Sequence, residues 1–96
     1  MPLQHIVWLK KKDDCSEQQL QFLLDEVCSL TKVISEIESV SSGINITNRA
    51  AGFTHGIIVT VADKQALQTY ISHPAHVAVG KKLLKHADVL AMDYEC

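Results

Sequence analysis

Tyr70 and His76 frame the stretch Tyr-Ile-Ser-His-Pro-Ala-His, with His73 and Pro74 between them. Proline is favoured at the first position of a helix, where its missing N–H costs nothing. Pro74 therefore opens a helix, and His76 falls in its first turn. The partial positive charge at that helix end disfavours an imidazolium and holds His76 neutral. A neutral, partly buried histidine beside a tyrosine is what a general base requires. The same spacing also fits a plain turn in which His73 and His76 only cap the helix.

Two further histidines sit in apolar alternation. His5 shares a strand face with Val7 and Leu9, and His55 shares one with Phe53 and Ile57. If both face the same helices as Tyr70 and His76, all four side chains converge on one cavity. That convergence depends on register, because a slip of one residue turns a strand's side chains to the opposite face. Three chemistries are then open. His5, His55 and His76 could ligate zinc, but proline interrupts the His73–His76 spacing and no carboxylate or thiolate joins the set. His76 could abstract a proton alpha to a carbonyl while Tyr70 or His5 stabilises the enolate oxygen. The histidines could also be structural, in a protein that only binds or scaffolds. His86, beside Lys85, is expected to be solvated, and Asp93 to bond backbone or a neighbouring polar group. No metal and no cofactor is expected. The chain has no glycine-rich phosphate loop, no Gly-x-Ser-x-Gly elbow and no carboxylate pair with a shared site.

The bulk numbers narrow the partners. Ninety-six residues, 47% hydrophobic and 21% charged, make a single globular domain over 1–96. Nine basic against eleven acidic residues give a net charge of −2, and the Lys10–Lys12 run is followed at once by Asp13 and Asp14. That is too little positive charge for nucleic acid. Cys15, Cys28 and Cys96 are odd in number and lack Cys-x-x-Cys spacing, which argues against a disulfide framework. No apolar run approaches the ~20 residues that span a bilayer. The lysines follow the first apolar stretch, the reverse of a signal peptide. A reduced, cytoplasmic protein with no membrane and no nucleic-acid partner is the expectation.

The elements that must position these residues read as follows. Leu3 to Lys10 is a strand apolar on both faces, with Ile6 and Trp8 opposite His5, Val7 and Leu9. Ser16 caps a helix, with Gln19 completing a capping box. Its stripe Leu20, Leu23, Leu24, Val27, Leu30, Val33 or Ile34, and Ile37 runs six turns at helical spacing. Cys28, at the edge of that stripe, reads as a small buried hydrophobe. Ser39 to Thr47 and Phe53 to Ala62 are strands, the second carrying Phe53, His55, Ile57, Val59 and Val61 on one face. Asp63 caps a short helix through Ile71. The Pro74 helix buries Val77, Val79, Leu83 and Leu84, with Gly80 as a break or bend. Asp88 to Glu95 closes the chain as a strand. The order β-α-β-β-α-β predicts a ferredoxin-like α+β fold, an antiparallel sheet with helices on one face. The other face keeps Ile6, Trp8 and Ile58 exposed, so a homodimer packed sheet to sheet is predicted.

These residues carry a resemblance. His5 on an early strand, Gly52-Phe-Thr-His55, Leu67-x-x-Tyr70-x-x-His73-Pro-x-His76-Val77 and Asp93-Tyr94 resemble the stress-responsive alpha/beta-barrel domain (Dabb) family over nearly the whole chain. The resemblance implies a dimeric ferredoxin-like alpha+beta barrel with a histidine-lined small-molecule pocket and, for many members, no assigned reaction. One plant member is a polyketide cyclase that closes a linear tetraketide by intramolecular aldol condensation. By that likeness His76 corresponds to its catalytic histidine and Tyr70 to its supporting tyrosine. His5 and His55 correspond to substrate-binding histidines, and Val27 replaces a pocket tyrosine, so a hydrogen-bond donor is lost there. The function implied is a dimeric stress-related or binding module for a small hydrophobic or polyketide-like ligand. A cofactor-free cyclase-like enzyme is the alternative, and a cofactor-independent monooxygenase a more distant one by fold analogy.

Overall fold

The computed structural model describes residues 1–96. Strand β1 spans Leu3–Lys11, helix α1 Glu17–Ser29, β2 Ile37–Ile44, β3 His55–Val61, α2 Lys64–Ser72, α3 Pro74–His86 and β4 Ala87–Glu95, with a single 3₁₀ turn at Leu30–Lys32 after α1. The strands form one antiparallel sheet in the order β2-β3-β1-β4, the ferredoxin-like α+β arrangement. No helix is long and apolar enough to cross a membrane.

Local chemistry sets the helix starts. The Ser16 hydroxyl accepts from the Gln19 amide while the Gln19 side chain takes the Ser16 N–H, a complete capping box. Asp63 caps α2 through the Ala66 amide. Pro74 stands at the start of α3, where the His73 ring accepts from the Ala75 amide. His73 is thus a cap, as the plain turn reading had it.

Several boundaries move from the expectation. The apolar stripe that reads as six helical turns is buried at Leu30, Ile34 and Ile37, but α1 stops at Ser29. The Ser29 hydroxyl donates to the Glu26 carbonyl and the Thr31 hydroxyl to the Cys28 carbonyl, which competes with helix continuation. Ile37 opens β2 instead, and Val33 is exposed. Strand β3 begins at His55, and Phe53 lies before it with its ring 6.0 Å from that of Trp8 on the outer face. Gly80 neither breaks nor bends α3 into two, and Val77 and Leu84 on that helix are exposed.

Helices cover one face of the sheet. Leu3, His5, Leu9, Ile57, Val59 and Val61 point into that core against Leu20, Leu24 and Val27 of α1, Leu67 and Tyr70 of α2, and Val79 and Leu83 of α3. The opposite face presents Trp8, Ile58, Leu90, Met92 and Tyr94 to solvent.

Candidate functional site

The pairing of β1 fixes where the first histidine points. His5 lies opposite Val59 on β3 and Asp93 on β4, so its side chain faces the helices and is 93% buried, with 7% exposure left. There it meets Tyr70 edge-on, with ring centroids 5.8 Å apart. Tyr70 in turn packs against His76 at 4.5 Å between centroids. The three rings line a cavity of about 250 Å³ between the sheet and the helices. Val7, Val27, Ile57, Val79, Leu83 and Val89 are among the apolar residues that complete it. Polar chemistry is thereby concentrated at one wall of an otherwise apolar pocket, the usual form of a small-molecule site.

His5 and His76 are each oriented by a hydrogen-bond partner, His5 by Asp93 and His76 by Ile71. The His76 Nδ1 lies 2.9 Å from the Ile71 carbonyl oxygen. A carbonyl only accepts, so Nδ1 carries the proton and Nε2 keeps its lone pair. Burial is the largest cause pushing the His76 pKa below 6.5; the Ile71 hydrogen bond opposes it and nearby His5 adds to it. The neutral state expected from the helix end is therefore held chiefly by desolvation. Burial, with neighbouring Cys28 adding to it, pushes the Tyr70 hydroxyl up to about 12. Tyr70 thus stays protonated at physiological pH, with an O–H able to donate.

Asp93 is the residue that reading the sequence undervalued. Its Oδ1 accepts from the His5 Nδ1 at 2.5 Å, which leaves the other ring nitrogen of His5 for a ligand. The signal was available only through register, because the two residues are 88 positions apart and meet as directly paired strand residues. A carboxylate behind an imidazole fixes its tautomer, and loss of such a partner costs about 10- to 100-fold at metal sites with the same geometry. Asp93→Asn is accordingly expected to weaken ligand binding or turnover by about tenfold or more. Calorimetric titration or kinetics checks it; unchanged values would mean that the His5 orientation is set by packing alone.

His55 does not join this pocket. It pairs with Leu9, four positions along β3 from Val59, so it sits about 13 Å from His5 by strand rise. It is 98% buried, with 2% exposure left. Its Nδ1 lies 2.7 Å from the Thr54 hydroxyl, which already accepts from the Lys11 amide and donates to the Leu9 carbonyl. Nδ1 must therefore donate, and Nε2 is left with no hydrogen-bond partner, 3.4 Å from the Glu17 carboxylate. The three-histidine zinc set is consequently not assembled. Glu17→Gln places an amide donor beside the orphaned nitrogen. It is expected to stabilise the protein by about 1 kcal/mol in urea unfolding at pH 8.5, a gain at the low end because Glu17 also favours the start of α1. No gain over Glu17→Ala would show that the two groups do not interact.

Val27 lines the pocket from α1 and offers no hydrogen bond. Cys28 beside it turns away toward β2, with Sγ 3.5 Å from the Ser42 hydroxyl. His86 is half-buried near α1 rather than fully solvated.

The chain belongs to the stress responsive A/B barrel domain (Dabb) family, whose model matches residues 3–96. It is 34% identical over 82 residues to olivetolic acid cyclase of Cannabis sativa, covering 83% of this chain and 81% of that one. A solved Arabidopsis thaliana structure superposes with a TM-score of 0.90 at 29% identity, covering 98% of this chain and 94% of that chain. A dimeric ferredoxin-like protein of unknown function from Bacteroides fragilis superposes with a TM-score of 0.78 at 25% identity, covering 99% and 96%.

Proposed function

We propose that this protein is a cytoplasmic homodimer, its single domain spanning 1–96, that binds a small carbonyl compound with an apolar body and moves a proton on it without a cofactor. The observation that carries this reading is the His76 ring, tautomer-fixed by Ile71, kept neutral by burial and packed at a tilt against Tyr70 inside an apolar pocket. Its Nε2 takes a proton from the carbon alpha to a carbonyl. The enolate oxygen that forms is met by the Tyr70 hydroxyl, with His5, held by Asp93, as a further contact. The carbanion then attacks a second carbonyl of the same molecule, and the resulting alkoxide recovers the proton from His76. That sequence is an intramolecular aldol addition, over which atoms and charge balance; loss of one water from the β-hydroxy ketone so formed completes the condensation.

Similarity to olivetolic acid cyclase supports the reaction class. Val27 shapes the substrate by volume alone, so chains with apolar bodies at that wall are favoured. His55, buried apart from the pocket against Thr54 and Glu17, takes no part in it. The experiment is product analysis by mass spectrometry on linear poly-β-keto substrates of several lengths, wild type against His76→Gln. Protein-dependent ring closure that the variant loses supports the reading. No closure by wild type at any length would leave the protein a binding module of the family.

A further inference from the structure

Gly80 is left unexplained by the fold around it. It stands inside α3, where glycine is destabilising relative to alanine. Its φ is negative, since Gly52 is the glycine with a positive value. No close neighbour demands the missing side chain either, because a methyl group built there meets no packing neighbour within 4 Å. Gly80 does, however, line the cavity that holds His5, Tyr70 and His76. His76, Val79, Gly80, Leu83 and Leu84 run along the cavity face of α3 at helical spacing, and Gly80 is the gap in that stripe.

What the gap does follows from where a side chain would go. A helical side chain leans over the turn before it, so one at position 80 would lie toward His76, four residues earlier. His76 Nδ1 is committed to the Ile71 carbonyl, and a side chain there would restrict access to the free Nε2. At about 250 Å³ the cavity falls below the roughly 300–1,000 Å³ of sites that enclose a drug-sized molecule. A longer molecule must therefore leave through an opening. Ile71 and Leu84 are the large apolar residues of the wall that solvent also reaches, 36% and 61% exposed. Gly80 precedes Leu84 by one helical turn. The wall carries no lysine, arginine, aspartate or glutamate to meet a charged group. An apolar chain fits such a lip, and a gap one side chain wide admits a linear one.

We infer that Gly80 is a specificity-determining position, the gap through which a linear apolar chain on the bound carbonyl compound passes from beside His76 out between Ile71 and Leu84. The inference rests on the carbonyl-binding pocket proposed above and adds the shape of its occupant, a carbonyl head held inside and an apolar tail longer than the cavity. Alanine at position 80 would strengthen α3 and narrow the gap, so helix stability and room for the tail oppose each other at this one residue.

The test measures binding by calorimetric titration of pentane-2,4-dione and nonane-2,4-dione, which share a head and differ by four methylenes. Wild type is expected to bind the longer one about tenfold or more tightly, since a buried methylene contributes up to about fourfold in affinity. In Gly80→Leu, folded by circular dichroism, that ratio should fall to within about twofold of unity. Gly80→Ala should raise Tm by a few degrees and lower the ratio less than leucine does. A wild type whose affinity does not grow with the chain overturns the inference, as does one that binds neither diketone. So does a folded Gly80→Leu that keeps the wild-type ratio, whether the two affinities stay put or fall together, or that loses both diketones altogether. Leu84→Glu, which charges the exposed lip, takes the place of Gly80→Leu if that variant does not fold, with the same ratio as readout. Ring closure is scored separately on poly-β-keto substrates. Length selectivity that depends on Gly80, in a protein that closes no ring, sinks the proposed chemistry alone. Ring closure by a protein without that selectivity sinks this inference alone.

Discussion

His76→Gln is expected to lower ring closure by about 10²- to 10⁴-fold at pH 7 while circular dichroism and solution mass stay as in wild type. Glutamine keeps a donor for the Ile71 carbonyl and much of the ring's volume, so the half-buried position remains filled. What it removes is the Nε2 lone pair. A pH profile separates that loss from a packing change. Because the His76 pKa lies below 6.5, the neutral base persists to lower pH than in free histidine. Wild-type kcat should therefore be flat at neutral pH and fall along an acid limb placed below pH 6.5. Stability follows the same group with a definite sign. The unfolded chain takes up a proton on this histidine near 6.5, and the folded chain resists it. Below that pH the unfolded state binds more protons, so stability falls with falling pH and this contribution recovers as pH rises through the histidine range. In the glutamine variant that part of the acid slope should vanish. Residual closure at the wild-type rate would remove His76 as the base.

Why the fold could be read at all comes down to alternation and caps. Strand β1 shows two apolar faces, β3 alternates without a fault, and Ser16, Asp63 and Pro74 each mark a helix start that the structure keeps. The end of α1 was not legible. Leu30, Ile34 and Ile37 continue the helical spacing, yet they reach the core from a 3₁₀ turn, a loop and a strand. Periodicity reports which residues are buried, not which backbone carries them there.

The site divides along the same line. Tyr70, His73 and His76 sit within one turn-linked segment, so local spacing fixed their relations. His5 and His55 needed the sheet register. Both face the helices as alternation demands, but only the structure shows that four strand positions part them. Asp93 needed pairing between the first and last strands, and no local pattern carries that information.

Tyr70→Phe separates the hydroxyl from the ring. The ring fills the core at 2% exposure and touches both His5 and His76, so phenylalanine preserves its contacts. Burial already disfavours the phenolate and lifts the hydroxyl to about 12, which leaves a neutral donor in a buried, largely apolar wall. A donor of that kind gains most when negative charge develops beside it. Its effect belongs to the transition state and not to the bound ketone. Removal of one such donor typically costs about 10²- to 10³-fold in kcat. The variant is expected to lose kcat by that amount with KM little changed, and its unfolding free energy should stay within about 1 kcal/mol of wild type. Tyr70→Ala would not answer the question, because an emptied aromatic site costs about 3–5 kcal/mol and confounds chemistry with folding. A Tyr70→Phe protein with unchanged kcat would pass the enolate oxygen to His5, whose ring nitrogen opposite Asp93 is the other group facing the cavity. The Asp93→Asn variant would then carry the larger kinetic loss of the two, so the pair of substitutions assigns the oxyanion contact whichever way the first result falls.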